Sequence, residues 1–275
     1  MKKPFFSIII PTLNEEKYLP KLLNDLSKQT EKDFEVIIAD GYSKDNTKKA
    51  VKEFKKKLSV KFYQTKLKNV AAQRNYGAKK SIGEYIVFFD ADSRINSSFL
   101  NRVNKSIINK KGLLFIPYSL PDKEYRQYKP IFDFINTLIE LTQNLPNRFS
   151  LGGTMIVEKG FFDLTKGFNK SLFISEDHEF IQRAGKWGVT AKFIKNVKVV
   201  FSLRRMRKEG EVNFIYKLIV GFTRRLISGE IKYKIFDYQM GGQIYNTKDV
   251  KVKKEEFFKG YLKQIKNLFN KLIKD

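Results

Sequence analysis

Two acidic residues, Asp90 and Asp92, stand two positions apart directly after the apolar stretch 84–89. If strand geometry continues through them, both carboxylates point to the same side. Two such oxygens suit a hard divalent cation that takes phosphate oxygens as its other ligands. The same pair is also typical of a polar turn after a buried strand, so the residues alone leave a metal site and a turn as alternatives.

A second acidic group surrounds the only histidine, His178. Glu176, Asp177 and Glu179 stand where a helix is expected to begin, and one of their carboxylates could act as a general base near the metal site. Acids in the first turn of a helix are also ordinary partners of the free backbone N–H groups and of the helix dipole. We expect His178 to pack or to support its neighbours, because no partner for imidazole catalysis is identifiable.

Cations that could bind a diphosphate occur at two places. Arg204, Arg205, Arg207 and Lys208 form one run, and Arg74 lies in the segment 71–77. Such cations can stabilise a developing diphosphate leaving group. A charge run in water is the alternative interpretation for both places.

The composition narrows the possible chemistry. The 275 residues contain no Cys and one His, which excludes disulfides, thiolate metal sites and cysteine nucleophiles and disfavours a multi-histidine zinc site. Lys and Arg total 54 against 29 Asp and Glu, a formal net charge of +25. This excess indicates an anionic partner, which the charge alone leaves open between nucleic acid, a lipid surface and a phosphorylated substrate.

The first hundred residues alternate strand and helix patterns. The strands are predicted at 7–10, 34–39, 60–64 and 84–89, with helices at 15–26, from 47 to about 58 and at 70–81. Repeated units of this kind predict a mostly parallel, doubly wound sheet whose ligands bind beyond the carboxyl ends of the strands. Polar residues gather at those ends, namely Thr12, Asn14, Glu15, Asp40, Ser43, Asp90 and Asp92.

The pattern changes from about residue 110. Strands are predicted at 113–118, 151–157 and 197–203, and a helix is predicted from about 176 through 188. The helix predicted at 131–145 carries Ile131, Phe134, Ile135, Leu138 and Ile139 on one side. Residues 212–275 indicate a basic, mainly helical tail, whose stretch 257–273 has the pattern of an amphipathic helix that either packs on the domain or lies on anionic lipid. No apolar stretch is long enough for a membrane span, and the start does not resemble a signal peptide.

The motifs at these positions resemble, in order, those of the family 2 glycosyltransferases. They are Pro-Thr-Leu-Asn-Glu-Glu (11–16), Ala-Asp-Gly-Tyr-Ser-Lys-Asp-Asn-Thr (39–47), Ala-Gln-Arg-Asn-Tyr-Gly-Ala (72–78), Gly-Glu-Tyr-Ile-Val-Phe-Phe-Asp-Ala-Asp (83–92), Gly-Phe-Asn (167–169) and Ser-Glu-Asp-His-Glu-Phe (175–180). The resemblance covers about residues 5–210 and implies an α/β fold of the GT-A type, a Rossmann-like sheet flanked by helices. It implies a nucleotide-sugar-binding half at 1–110 and an acceptor-binding half at 111–210 of one domain, followed by the basic tail at 211–275.

The resemblance also implies a role for each matching residue. Asp177 is the expected general base with Glu176 beside it, and Asp92 with Asp90 is the expected site of Mg²⁺ or Mn²⁺. Asp90 would also lie near the ribose. The residues expected to bind the donor are Pro11, Thr12, Asn14, Glu15, Asp40, Arg74, Asp90, Arg204 and Arg205. The Trp of the family's basic Gln-x-x-Arg-Trp element is missing after Arg205, which disfavours processive polymer synthesis.

These expectations describe an inverting enzyme. A sugar would pass from a UDP- or GDP-sugar to a hydroxyl or phosphate of a saccharide or lipid-linked acceptor in glycan or cell-envelope synthesis. The alternatives are a nucleotidyltransferase on a similar sheet and a basic nucleic-acid-binding module. Nucleic acid is disfavoured, because no zinc spacing or RNA-binding aromatic motif is present and the acidic residues would repel phosphate. We expect a cytoplasmic protein, with peripheral attachment to an anionic membrane surface as a hypothesis that depends on the tail.

Overall fold

The computed structural model describes residues 3–66, 69–145, 148–150, 153–172 and 175–211, together with residue 242. The basic tail predicted at 211–275, including the amphipathic stretch 257–273, lies outside the described residues except for 211 and 242. Within the described part, residues 3–203 and 242 belong to one compact unit, and residues 204–211 belong to a second. No helix among the described residues combines the length and the apolar character that crossing a bilayer requires.

The described strands join in one eight-stranded mixed sheet. They are β1 (Phe6–Thr12), β2 (Phe34–Asp40), β3 (Val60–Gln64), β4 (Tyr85–Phe88), β5 (Arg94–Ile95), β6 (Leu114–Pro121), β7 (Met155–Glu158) and β8 (Lys192–Phe201). Their order across the sheet is β3-β2-β1-β4-β7-β6-β8-β5. β1, β2, β3 and β4 run parallel, β7 is antiparallel to β4 and β6, β6 and β8 are parallel, and β5 is antiparallel to β8. Strands of both predicted halves therefore share one sheet.

Helices cover both faces of this sheet. They are α1 (Leu19–Ser27), α2 (Thr47–Phe54), α3 (Val70–Lys80), α4 (Phe99–Lys110), α5 (Lys129–Thr142), α6 (Lys159–Leu164) and α7 (Glu176–Lys186), with a 3₁₀ helix at Lys123–Tyr128; α8 (Arg204–Glu209) belongs to the second unit. Because alternate strand residues point to opposite faces, Ile8 and Ile10 join the core cluster that holds the leucines of α1. Ile9 joins the opposite cluster, which includes Ala71 and Ala78 of α3. This two-sided burial explains why β1 contains three consecutive isoleucines, Ile8, Ile9 and Ile10.

Most predicted elements are present, and their differences have local causes. β3 has the predicted bounds, while α1 begins at Leu19 instead of 15. The N–H groups of Tyr18 and Leu19 both donate to the carbonyl of Glu15, which closes a turn before the helix. α4, α6 and β5 were not predicted from the sequence pattern. β8 begins at Lys192, five residues before its predicted start, because its exposed lysines interrupt the apolar pattern.

The buried face of α5 differs from the predicted one. Phe132, Asn136 and Ile139 are buried, whereas Ile131 and Phe134 are 48% and 69% exposed. The side chain of Asn136 pairs with the backbone of Ser119, accepting from its N–H at 2.9 Å and donating to its carbonyl at 2.8 Å. These bonds hold the Asn136 face against β6, an orientation that a count of apolar residues does not predict.

Candidate active site

The carboxyl ends of β1, β2 and β4 meet at one edge of the sheet, since the three strands are parallel neighbours. Thr12 and Asp40 are direct register partners at the ends of β1 and β2. Asp90 follows β4 by two residues. The sheet thus brings the polar residues of three separate segments to the edge at which open α/β sheets bind ligands, as predicted.

Asp40 is fully buried and holds the loop that follows β2. One carboxylate oxygen accepts hydrogen bonds from the hydroxyls of Thr12 at 2.9 Å and Ser43 at 2.5 Å, and the other accepts from the Ser43 N–H at 2.9 Å. The Gly41 N–H donates to the Thr12 carbonyl at 2.8 Å. The contact of Asp40 with a nucleotide base stays a prediction. In the structure, the hydrogen bonds of Asp40 hold residues 41–43 against β1.

The residues at the end of β1 and directly after it are hydrogen-bonded to the same loop or lie beside it. Pro11 is buried within the strand, and Asn14 has a left-handed backbone with φ of 55°. The Asn14 side chain accepts from the Lys44 N–H at 2.7 Å, and the N–H of buried Glu15 donates to the Thr47 hydroxyl at 2.8 Å. Hydrogen bonds therefore connect the motifs at 11–16 and 39–47 into one polar cluster.

Arg74 joins the two predicted halves. Its side chain is 2% exposed, and it donates to a carboxylate oxygen of Asp90 at 2.7 Å and to one of Glu176 at 2.6 Å. Burial disfavours the cation, but the charges of Asp90 and Glu176 outweigh this effect, so the pKa of Arg74 is raised. Arg74 was predicted to lie near the diphosphate or the sugar. In the structure it links the carboxylate of Asp90, after β4, to that of Glu176, at the start of α7.

Glu176 and Asp177 open α7 directly after Ser175, whose left-handed backbone has φ of 68°. Asp177 is buried, and Glu176 is 15% exposed at its side chain. Burial, together with the neighbouring charge of Asp177, raises the pKa of the Glu176 carboxyl although Arg74 acts in the opposite direction. Two carboxyl groups with different surroundings thus stand side by side at the start of one helix.

The Asp-x-Asp segment is a turn. β4 ends at Phe88, and the Ser93 N–H donates to the Asp90 carbonyl at 3.0 Å. The premise that strand geometry continues through Asp92 is therefore wrong, although the assignment of both residues to a metal stays a prediction. Asp90 is 39% exposed and Asp92 is half-buried, so both have access to solvent.

The donor chemistry of this edge fits Mg²⁺ or Mn²⁺. This part of the molecule contains the carboxyl groups of Asp90, Asp92, Glu176 and Asp177, and the buried cation Arg74 pairs with two of them. Among the described residues, no group of three or more acidic, His or Cys side chains is placed so that it could hold a metal ion. Mg²⁺ commonly needs only one or two carboxylates when substrate phosphates complete its coordination.

Gly153 is a site residue that the sequence analysis treated only as the start of a strand. A Cβ added to it would lie 2.1 Å from Nη2 of Arg74 and 2.7 Å from Oδ2 of Asp90. Real Cβ atoms do not approach that closely, so the absence of a side chain here leaves room for the Arg74–Asp90 pair. The paired glycines at 152–153 were the available signal, because glycine is used where backbone approaches another group closely.

Two further predictions concern His178 and the basic run. The ring of His178 makes an edge contact with Phe149, with centroids 6.1 Å apart, which agrees with the predicted packing role. Arg204 and Arg205 open α8 in the second compact unit. Their binding to a diphosphate stays a prediction.

A family model described as "Glycosyl transferase family 2" matches residues 7–164. The poly(ribitol-phosphate) β-N-acetylglucosaminyltransferase TarS of Staphylococcus aureus is 39% identical over 148 residues, which are 50% of this chain and 26% of TarS. A GalNAc(5)-diNAcBac-PP-undecaprenol β-1,3-glucosyltransferase of Campylobacter jejuni is 29% identical over 150 residues, which are 54% of this chain and 42% of that enzyme. The chain thus spans less than half the length of either relative.

Solved structures have the same fold. The crystal structure of S. aureus TarS 1–349 in complex with UDP-GlcNAc aligns with a TM-score of 0.62 at 23% identity, covering 80% of this chain and 66% of that one. The mannosyltransferase PcManGT of Pyrobaculum calidifontis, in complex with GDP-Man and Mn²⁺, aligns with a TM-score of 0.60 at 20% identity, covering 80% and 65%. The predicted GT-A fold, a mixed and mostly parallel sheet flanked by helices, is confirmed.

Proposed function

The chain belongs to glycosyl transferase family 2, and from this premise we propose that it is an inverting glycosyltransferase that uses a nucleoside-diphosphate sugar. The observation that carries the proposal is the contact of Arg74 with both Asp90 and Glu176. It joins the strand-end carboxylate of the donor half to the acidic start of α7 in the acceptor half. Family membership also favours this function over a nucleotidyltransferase or a nucleic-acid-binding module.

Each acidic residue has a distinct task in the proposed reaction. Asp177 removes the proton from the acceptor hydroxyl, and the oxygen attacks the anomeric carbon from the face opposite the leaving diphosphate. A single displacement of this kind inverts the anomeric configuration. Glu176, held by Arg74, orients the start of α7 so that Asp177 faces the acceptor.

Asp92 and Asp90 would hold a divalent cation, Mg²⁺ or Mn²⁺. When bound, this ion supplies neutralising charge to the diphosphate of the donor. The polar cluster formed by residues 11–16 and 39–47 would bind the nucleoside. Its internal hydrogen bonds fix its geometry before the donor binds.

The donor and acceptor classes follow from the relatives as proposals. TarS was crystallised with UDP-GlcNAc and PcManGT with GDP-Man, which supports a UDP- or GDP-sugar donor for this chain. The undecaprenol-linked substrate in the name of the C. jejuni relative supports a lipid-linked acceptor. A net charge of +25 would favour binding to an anionic membrane surface. We therefore propose that the reaction takes place at the cytoplasmic face of the membrane, to which the protein attaches peripherally.

The full chain can be tested directly for this activity. Purified protein is incubated with a panel of UDP- and GDP-sugars and Mn²⁺, with and without a polyprenyl-phosphate-linked saccharide, and the released nucleoside diphosphate is measured. We expect one donor to be consumed, faster with an acceptor, and the product linkage to have the opposite anomeric configuration to the donor by NMR. Retention of configuration, or no release from any donor, would contradict the proposal.

A further inference from the structure

The loop that leads from α6 towards the acidic start of α7 is held by side chains from two helices. It contains two consecutive left-handed residues, Lys166 with φ of 61° and Gly167 with φ of 67°. Arg183 of α7 pairs with Glu179 at 2.7 Å and donates to the carbonyls of Thr165 and Gly167, the latter at 2.6 Å. This tight turn is thus tied to the body of the helix that follows it.

Asn75 of α3 holds the same loop from the other side. Its Nδ2 donates to the Phe168 carbonyl at 2.8 Å, and its Oδ1 accepts from the Phe168 N–H at 2.8 Å. The two bonds use both functions of the amide at once, as backbone pairing in a sheet does. A Cβ on Gly167 would lie 2.6 Å from the Asn75 Oδ1, so the loop backbone and this side chain are in close contact.

Other residues of α3 and its N-cap extend this attachment. Asn69, the N-cap of α3, donates to the Leu172 carbonyl at 3.3 Å, and Arg74 donates to Glu176. One helix of the donor half therefore contacts positions 168, 172 and 176, which lie in order along the segment that delivers the acidic residues. Asn75 makes the first of these contacts and uses two hydrogen bonds, whereas Asn69 makes one.

We propose that Asn75 is a positioning residue for the general base. It does not touch the reacting atoms, and it fixes the loop so that Asp177 stands at a set distance from the strand-end Asp90. The inference rests on the proposed glycosyltransferase function, which it extends to Asn75, a residue of the motif 72–78 to which the sequence analysis assigned no role. A shift of about 1 Å in a catalytic group can lower the rate about a hundredfold, so a loosened loop should reduce turnover strongly.

The test compares Asn75→Ala with Gln29→Ala in the full chain. Gln29 is a matched control because it is a buried amide that donates to the Asn96 carbonyl and accepts from the Leu100 N–H, at the end of α1 away from the strand-end edge. We expect Asn75→Ala to lower kcat by about ten- to a hundredfold while the KM for the donor changes by less than about twofold. Gln29→Ala should destabilise the fold to a similar degree and keep kcat near the native value.

A second variant and a second measurement keep the outcome decisive. Asn75→Asp retains the shape and the acceptor for the Phe168 N–H but places an oxygen that repels the Phe168 carbonyl in the donor position, so its kcat should fall at least as far as that of Asn75→Ala. Hydrogen exchange should rise at residues 165–172 in Asn75→Ala and not in Gln29→Ala. Native kcat in a folded Asn75 variant would overturn the inference, whereas a wild-type chain that releases no nucleoside diphosphate would instead contradict the proposed function.

Discussion

Replacing Arg74 with Met should lower the free energy of unfolding far more than the loss of an exposed cation does. Arg74→Met keeps the approximate length of the side chain and removes its charge. The two carboxylates that it contacts, Asp90 and Glu176, then lose their partner. Breaking a buried ion pair by removing one partner typically costs about 3–5 kcal/mol, because the remaining charge is left without compensation.

The solvent exposure of the two carboxylates determines where in this range the loss of stability should fall. Asp90 is 39% exposed and can recover water, whereas Glu176 is only 15% exposed. We therefore expect a loss near the lower end, about 3 kcal/mol in the free energy of unfolding. Lys195→Met is the control, since Lys195 pairs with Glu140 at 2.8 Å and the two side chains are 66% and 38% exposed, so its loss should cost about 1 kcal/mol or less.

The pH dependence identifies the charge responsible. The pKa of Glu176 is already raised by burial and by Asp177, and without Arg74 it should rise further. A carboxyl whose pKa is higher in the folded than in the unfolded chain stabilises the fold while protonated, and this contribution is lost as pH rises through the folded pKa. The destabilisation of Arg74→Met should therefore be smaller near about pH 5 than near about pH 7.

Urea unfolding of both variants and the wild type, followed by circular dichroism at the two pH values, measures these differences. A cost for Arg74→Met no larger than that for Lys195→Met at neutral pH would contradict this expectation. A cost for Arg74→Met that does not change with pH would show that lost packing, and not the charge of Glu176, is responsible.

Three further predictions concern turnover. Asp177→Asn should still bind the donor, as measured by calorimetry, and should lower kcat by at least about a hundredfold. A larger loss of kcat in Glu176→Gln would indicate that Glu176, and not Asp177, is the general base. Asp92→Ala should abolish turnover without unfolding the chain, and full activity in excess chelator would contradict the metal assignment. Gly153→Ala should lower kcat by at least about tenfold because its Cβ displaces the Arg74–Asp90 pair, whereas Gly160→Ala, whose Cβ meets only the Glu158 side chain at 3.2 Å, should be near native in the same assay.

The sequence predicts the strands and helices of residues 6–88 well because their signals are local. The strand 60–64 and the polar residues at the ends of β1, β2 and β4 follow from apolar runs and from the parallel arrangement that they dictate. Other features depend on contacts that local patterns do not capture. The side chain of Asn136 holds one face of α5 against β6, and the turn at Asp90–Ser93 ends the strand geometry before Asp92.

The residues that assemble the site depend on pairings between distant parts of the chain. Arg74 and Glu176 are 102 positions apart, and Asn75 and Phe168 are 93 apart. A motif identifies each partner as polar, but only the crossing of α3 over the loop before α7 makes them neighbours. The carboxylates of the two halves repel one another, so a buried guanidinium between them is the simplest way for one fold to hold them together before a substrate or metal arrives. Arg74 therefore supplies the charge that compensates Asp90 and Glu176, and Asn75 supplies two hydrogen bonds that hold the backbone of Phe168.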